Sequence, residues 1–146
     1  MIGDLQHQIV EFGSARQKET INLRELVLRI PLGMRFTSEQ LEAERNQIHI
    51  AQLHKTVLTA CLVMKPISER ISKMRQVAVH PDFQQKGLGT ALVVYTEELM
   101  RKKGFKEIQL HARILAVDFY EKLDYKVVGD AFDEIGIEHY KMIKPL

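Results

Sequence analysis

Apolar and polar positions alternate and cluster along the chain in a way that predicts a strand, then helices, then several strands, then helices interleaved with strands. Residues 5–12 form a candidate first strand with weak alternation, broken by Gly13-Ser14-Ala15. Ile21, Leu23, Leu26, Val27, Leu28 and Ile30 fall at mostly helical spacing and predict a helix over 20–30, closed by Pro31. Ser38 is placed to cap a short helix running through Leu41 and Glu44. Three strands are expected next, at 48–53, 56–64 and 71–79, joined by His54-Lys55 and stopped by Pro66 and Pro81. The middle one is apolar on both faces and therefore central. Together they read as an antiparallel meander.

The period then changes. Leu88, Ala91, Leu92, Tyr95 and Leu99 occupy one face of an amphipathic helix, with Arg101-Lys102-Lys103 in its last turn and Gly104 as its stop. A strand at 108–111, a helix over 114–123 and strands at 125–128 and 139–143 complete the order. A meander combined with one strand–helix–strand crossover defines an α/β (α+β) class with a mixed sheet.

Composition narrows what such a chain can be. It has 146 residues, which fits one domain spanning 1–146. Hydrophobic residues at 45% are too many for a disordered chain. The single cysteine, Cys61, excludes an internal disulfide and a multi-cysteine metal site, and its apolar surroundings make it a small core residue. The longest nearly apolar run, Val57 to Met64, is far short of the roughly 20 residues a spanning helix needs. With no basic-then-apolar start, the expected location is cytoplasmic. A net charge of +2 and 7% aromatics without Trp argue against a nucleic-acid partner, and the basic triplet 101–103 is explained by its place at a helix end.

Candidate chemistry concentrates in Val77-Ala78-Val79-His80-Pro81-Asp82-Phe83-Gln84-Gln85-Lys86-Gly87-Leu88-Gly89-Thr90. A strand ends, a turn follows and a glycine-containing loop opens a long helix. The first N–H groups of that helix lack internal partners and suit an anion, above all a phosphate. Gly87 and Gly89 would let it approach the backbone, and Lys86 adds charge at the rim. The segment is neither a P-loop nor the dinucleotide fingerprint, since position 92 is Leu. Taken alone, the glycines are equally explained by a tight turn.

Gln84-x-x-Gly87-x-Gly89 after Val77-x-Val79-x-Pro81 resembles the acyl-CoA-binding motif of the GNAT (GCN5-related N-acetyltransferase) superfamily. Ala116-Val117-Asp118-Phe119-Tyr120-Glu121-Lys122-Leu123-Asp124-Tyr125 looks like the family's second cofactor helix, and the order of elements agrees over nearly the whole chain. Asp133 to His139 resembles the tail of a subgroup of small, often uncharacterised bacterial members.

The resemblance implies a mixed sheet of six or seven strands with helices on both faces. It implies acetyl-CoA lying in a gap between the strands 71–79 and 108–111, with its pantetheine arm on Val77, Ala78 and Val79 and its pyrophosphate on Gln84, Gln85, Lys86, Gly87, Leu88, Gly89 and Thr90. Ala116 and Phe119 would wall the cofactor. The implied reaction is direct attack of an amine on the thioester in a ternary complex, the oxyanion held by a backbone N–H near Val77. Tyr120 matches the tyrosine that protonates the leaving thiolate, against a plain packing role.

His139 is the first candidate for the base, since histidine is the side-chain type suited to proton transfer near neutral pH, and Glu134 the second; a structural histidine at a strand start is the alternative. His111 ends a strand facing the expected cleft. His80 is read as a turn residue. Arg24 and Arg29, in the first helix, either bind an acceptor carboxylate or lie on a solvated face. Two positions depart from the family pattern: Arg113 stands where an asparagine is frequent, and Asp124 where glycine is usual. The acceptor is expected to be a small-molecule or peptide amine, and a homodimer is possible in such folds. The rival reading is an acyl-CoA-binding sensor or interaction module with little turnover; retention of Tyr120 favours the enzyme.

Overall fold

The structure, a computed structural model, describes residues 3–146. Its centre is a seven-stranded sheet of β1 (Leu5–Val10), β2 (Ile48–His54), β3 (Val57–Pro66), β4 (Ile71–Val79), β5 (Glu107–Arg113), β6 (Lys126–Glu134) and β7 (Ile137–Pro145). The spatial order is β1-β2-β3-β4-β5-β7-β6. Every pairing is antiparallel except β4 with β5, which are joined by the crossover through α3 (Leu88–Lys102).

Side-chain parity in β3 separates the two faces. Ala60, Leu62 and Met64 face α3 and join Leu92, Val93 and Met100 in the main core. Cys61 faces the other way and joins Leu23 of α1 (Ala15–Leu28) and Ala78 in a smaller cluster. Fully burying side chains such as Leu62, Leu92 and Met100 contributes about 1.5–3 kcal/mol each. Burial pushes the Cys61 thiol up to about 12, so it remains a protonated core group.

Four element boundaries differ from the sequence expectation. The first helix begins at Ala15, because the Ser14 side chain accepts from the Gln17 N–H at 3.1 Å and caps a polar first turn that hydrophobic periodicity does not register. The short helix α2 (Ser38–Glu42) is capped by Thr37 instead of Ser38, in a reciprocal capping box with Gln40. Residues 114–123 split into a 3-10 turn at Ile114–Ala116 and α4 at Val117–Glu121. The last two strands are much longer than their apolar cores. Residues 129–131 bulge out where β6 slips register against β7, and Ile135-Gly136, both at positive φ, close the hairpin in two residues.

Candidate functional site

The site exists because β4 and β5 part company. Their ladder runs from Ile71↔Glu107 to Met74↔Leu110 and stops, although β4 continues to Val79 and β5 to Arg113. The cause is a bulge in β4. Against β3, Cys61 pairs Ala78 but Val63 pairs Arg75, so one extra residue is accommodated near Gln76, which adopts φ 57°. Beyond the bulge the strand turns away from β5. Backbone groups facing the gap have no ladder partner.

The gap opens into a cleft of about 820 Å³ lined by Val77, Val79, Phe83, residues 84–85 and 87–90 of the loop, Leu115, Ala116, Phe119 and Tyr120. The loop is held from three sides. Gln84 Nε2 donates to the Val79 carbonyl at 3.0 Å. Gly87 takes φ 79°, a left-handed conformation suited to glycine, and starts α3 without a capping side chain. Gln52 Nε2 donates to the Leu88 carbonyl at 2.8 Å, and the Thr59 hydroxyl donates to Gln52 Oε1 at 2.8 Å, tying the first turn of α3 to the sheet. Gly89 has a different part from the one its sequence suggests. A Cβ there would stand 3.3 Å from Phe119 Cζ, so this glycine lets α3 pack against the cleft wall as well as leaving the backbone open. Lys86 is exposed, its Nζ 5.9 Å from the Phe83 ring centroid.

A second cavity, of about 200 Å³, adjoins the first. Val77, Ala116 and Tyr120 line both, so they mark the junction. Tyr120 is only 7% exposed, and burial raises its phenol well above the ordinary value. Among the described residues no hydrogen bond engages its hydroxyl. Neighbouring Tyr125 is different: its hydroxyl donates to Glu97 at 2.9 Å.

The inner cavity gathers titratable groups. Glu134 Oε1 lies 3.0 Å from His111 Nδ1 and its Oε2 lies 3.6 Å from His139 Nε2. His139 Nδ1 donates to the Ile137 carbonyl at 2.8 Å, which leaves Nε2 to face the carboxylate. Burial pulls the Glu134 carboxyl up, but the His111 hydrogen bond and the charges of His111, His139 and Lys73 outweigh it and hold it below 4.5. Arg29 and Arg113 line the same cavity, and their guanidinium groups donate to one acceptor, the Leu28 carbonyl, at 3.2 and 3.0 Å.

Of the residues singled out from sequence, Val77, Val79, Gln84, Gln85, Gly87, Leu88, Gly89, Thr90, Ala116 and Phe119 line the cleft with Tyr120, while His139, Glu134 and His111 line the inner cavity. Ala78 points to the α1 side and is buried, so only its backbone is near the gap. Arg24 is neither solvated nor at the cavity. It is fully buried, 2.7 Å from Glu44 and over the Phe36 ring. Sequence reading missed Gln76 and Leu115. The first was signalled by the apolar phase jumping from Met74 to Val77; the second, 96% exposed at the cleft, is an apolar side chain with no packing role.

With this geometry in view, comparisons with known proteins agree on one family. The model for "Acetyltransferase (GNAT) domain" matches residues 33–146. The chain belongs to the GNAT acetyltransferase domain family. It is 33% identical over 75 residues to the Bacillus subtilis (strain 168) protein YyaT, itself uncharacterised; that match covers 51% of each chain, so the chain spans about half the length of that curated relative. The fold is similar to the crystal structure of a putative N-acetyltransferase from Lactobacillus plantarum, with TM-score 0.87, 20% identity and 99% of both chains covered. It is also similar to a GNAT family acetyltransferase from Elizabethkingia anophelis solved with acetyl-CoA bound, with TM-score 0.77, 14% identity and 99% of both chains covered.

Proposed function

We propose that the chain acts, as a single domain, as an acetyl-CoA-dependent N-acetyltransferase that acetylates an amine by direct attack in a ternary complex. The observation that carries this reading is the junction at Val77, Ala116 and Tyr120, where a large cleft meets a smaller cavity that holds the titratable groups. The cleft fits coenzyme A in character. An exposed strand edge at Val77 to Val79 offers backbone bonds to an amide-bearing arm, and the N–H groups that open α3 suit a pyrophosphate. The Elizabethkingia protein of the same fold binds acetyl-CoA.

When bound, acetyl-CoA supplies the acetyl group as an activated thioester. Val77 would present a backbone N–H to the oxyanion that forms as the amine attacks; one such donor is worth about 10²–10³ in rate. Tyr120 gives its Oη proton to the departing sulfur. Its raised pKa keeps that proton in place at neutral pH. The cluster of Glu134 with His111 and His139 takes the proton lost by the amine; His139 and its neighbours share this role.

Titration with acetyl-CoA by calorimetry, followed by thiol release with a panel of amines, tests the proposal. Binding with amine-dependent thiol release is expected. Binding with no turnover for any amine would favour a sensor, and no binding would remove the functional reading while leaving the fold.

A further inference from the structure

The inner cavity carries an imbalance of charge that the transfer reaction itself does not require. Arg29, Arg75 and Arg113 line it, Lys73 joins them in an adjoining space of about 210 Å³, and Glu134 is the one carboxylate lining either. Arg75 is engaged, with Nη1 3.2 Å from Glu44 and 2.8 Å from the Gln47 side-chain oxygen. Glu134 is engaged by two histidines. Arg29 and Arg113 are different. They come from α1's C-terminal end and from the end of β5, yet both turn to the single neutral oxygen of Leu28. Among the described residues neither forms an ion pair with a carboxylate. Arg29 also lies over Phe36, its Cζ 4.7 Å from the ring centroid, which anchors its guanidinium from one side. Burial, then the nearby charges of Arg113, Arg24 and Arg75, all disfavour its charged form, with Glu134 alone opposing them.

Two guanidinium groups that share one carbonyl and line the cavity leave most of their N–H donors without a protein partner among the described residues. Such a pair matches the two oxygens of a carboxylate. We infer that the acceptor is a small amine carrying its own carboxylate, an amino acid in the chemical sense, gripped by Arg29 and Arg113 with its amine directed to Tyr120. This rests on the acetyltransferase reading and gives its acceptor a class. The cavity of about 200 Å³ suits a free small molecule. Arg113 thereby has a use at the position where the family pattern has asparagine.

The test uses matched pairs on the full chain with acetyl-CoA: phenylalanine against phenethylamine, lysine against 1,5-diaminopentane, serine against ethanolamine, with phosphoethanolamine as a phosphate arm. In at least one pair the carboxylate-bearing amine should have the higher kcat/KM by about tenfold or more. Arg29→Gln and Arg113→Gln should each raise its KM about 10–100-fold, the loss expected for a charged hydrogen bond. The kcat, the acetyl-CoA affinity by calorimetry and the KM of the decarboxylated partner should stay unchanged, and Arg29→Lys should recover part of the loss. Equal or better turnover of the decarboxylated amines overturns the inference and leaves the acetyltransferase reading intact. Preference for phosphoethanolamine overturns the carboxylate assignment. If no amine turns over, binding of the same amino acids to CoA-loaded protein, followed by NMR, decides. Binding lost in Arg29→Gln supports the inference, and absence of binding overturns it. Failure to bind acetyl-CoA overturns the acetyltransferase reading itself.

Discussion

Glu134 and His111 stand 3.0 Å apart although 23 residues separate them in sequence. They meet because β7 lies between β5 and β6, and because the bulge at 129–131 lets β6 reach back across its partner. Removing the carboxylate should therefore disturb both histidines at once. Glu134→Gln is expected to lower kcat/KM by about 10²-fold or more, within the range for a general-base contribution. A variant that retained full activity would exclude the cluster from proton transfer.

The same carboxyl has a pH signature. It titrates below 4.5 when folded, so its ionised form contributes stability above its unfolded value, and that contribution is lost as the pH falls through the lower folded value. The thermal midpoint of wild type should exceed that of Glu134→Gln near neutral pH, with the gap closing below about pH 4. The gap should be small, since the side chain is 44% exposed and screened by solvent. A constant gap from acid to neutral would assign the difference to packing.

Tyr120→Phe is a clean deletion, because among the described residues no group loses a partner when the hydroxyl goes. The expected result is a fall in kcat of about 10²–10⁴ with KM and circular dichroism unchanged. An unchanged kcat would reduce Tyr120 to a packing residue beside Tyr125, its T-shaped neighbour at 5.7 Å.

Gly89→Ala should weaken coenzyme A binding indirectly. Its methyl group would press on Phe119, which has to yield by a few tenths of an ångström and is itself a wall of the cleft. A stability loss of about 1 kcal/mol is expected with it. Gly87→Ala meets no atoms within 4 Å, so its cost is conformational, from φ 79°, and also about 1–2 kcal/mol. Calorimetric affinities and melting curves of the two variants separate these causes.

The buried pair behind α1 predicts an asymmetry. Glu44→Ala strands Arg24, which is fully buried, and should cost about 3–5 kcal/mol by denaturant unfolding. Arg24→Met should cost less, because Arg75 at 3.2 Å still answers Glu44. Equal losses would mean that Arg75 does not compensate.

The sheet, its crossover helix and the cleft loop were legible in the sequence because each is written locally: an apolar run through β3, a helical stripe from Leu88 to Leu99, glycines between Lys86 and Thr90. The inner cavity was not. Arg24 sits on a helix with hardly any amphipathic signal, so its burial depends on Glu44, which is 20 residues away in the turn after α2. Gly129-Asp130-Ala131 reads as a loop, yet it is the slack that lets β6 extend to Glu134. Pairings made by distant elements leave no periodic trace.

The bulge at Gln76 works as a parity switch. Before it, Met74 looks toward α3; after it, Ala78 looks toward α1, while Val77 and Val79 take over the α3 side. An unbroken strand would place Met74 and Ala78 on one face. Deleting Gln76 would accordingly leave Val77, Ala78 and Val79 on their present faces, since plain alternation from Met74 along the shortened strand puts them there, and would remove only the kink, so that β4 would be free to zip against β5 to its end. One supernumerary residue keeps this sheet from healing shut.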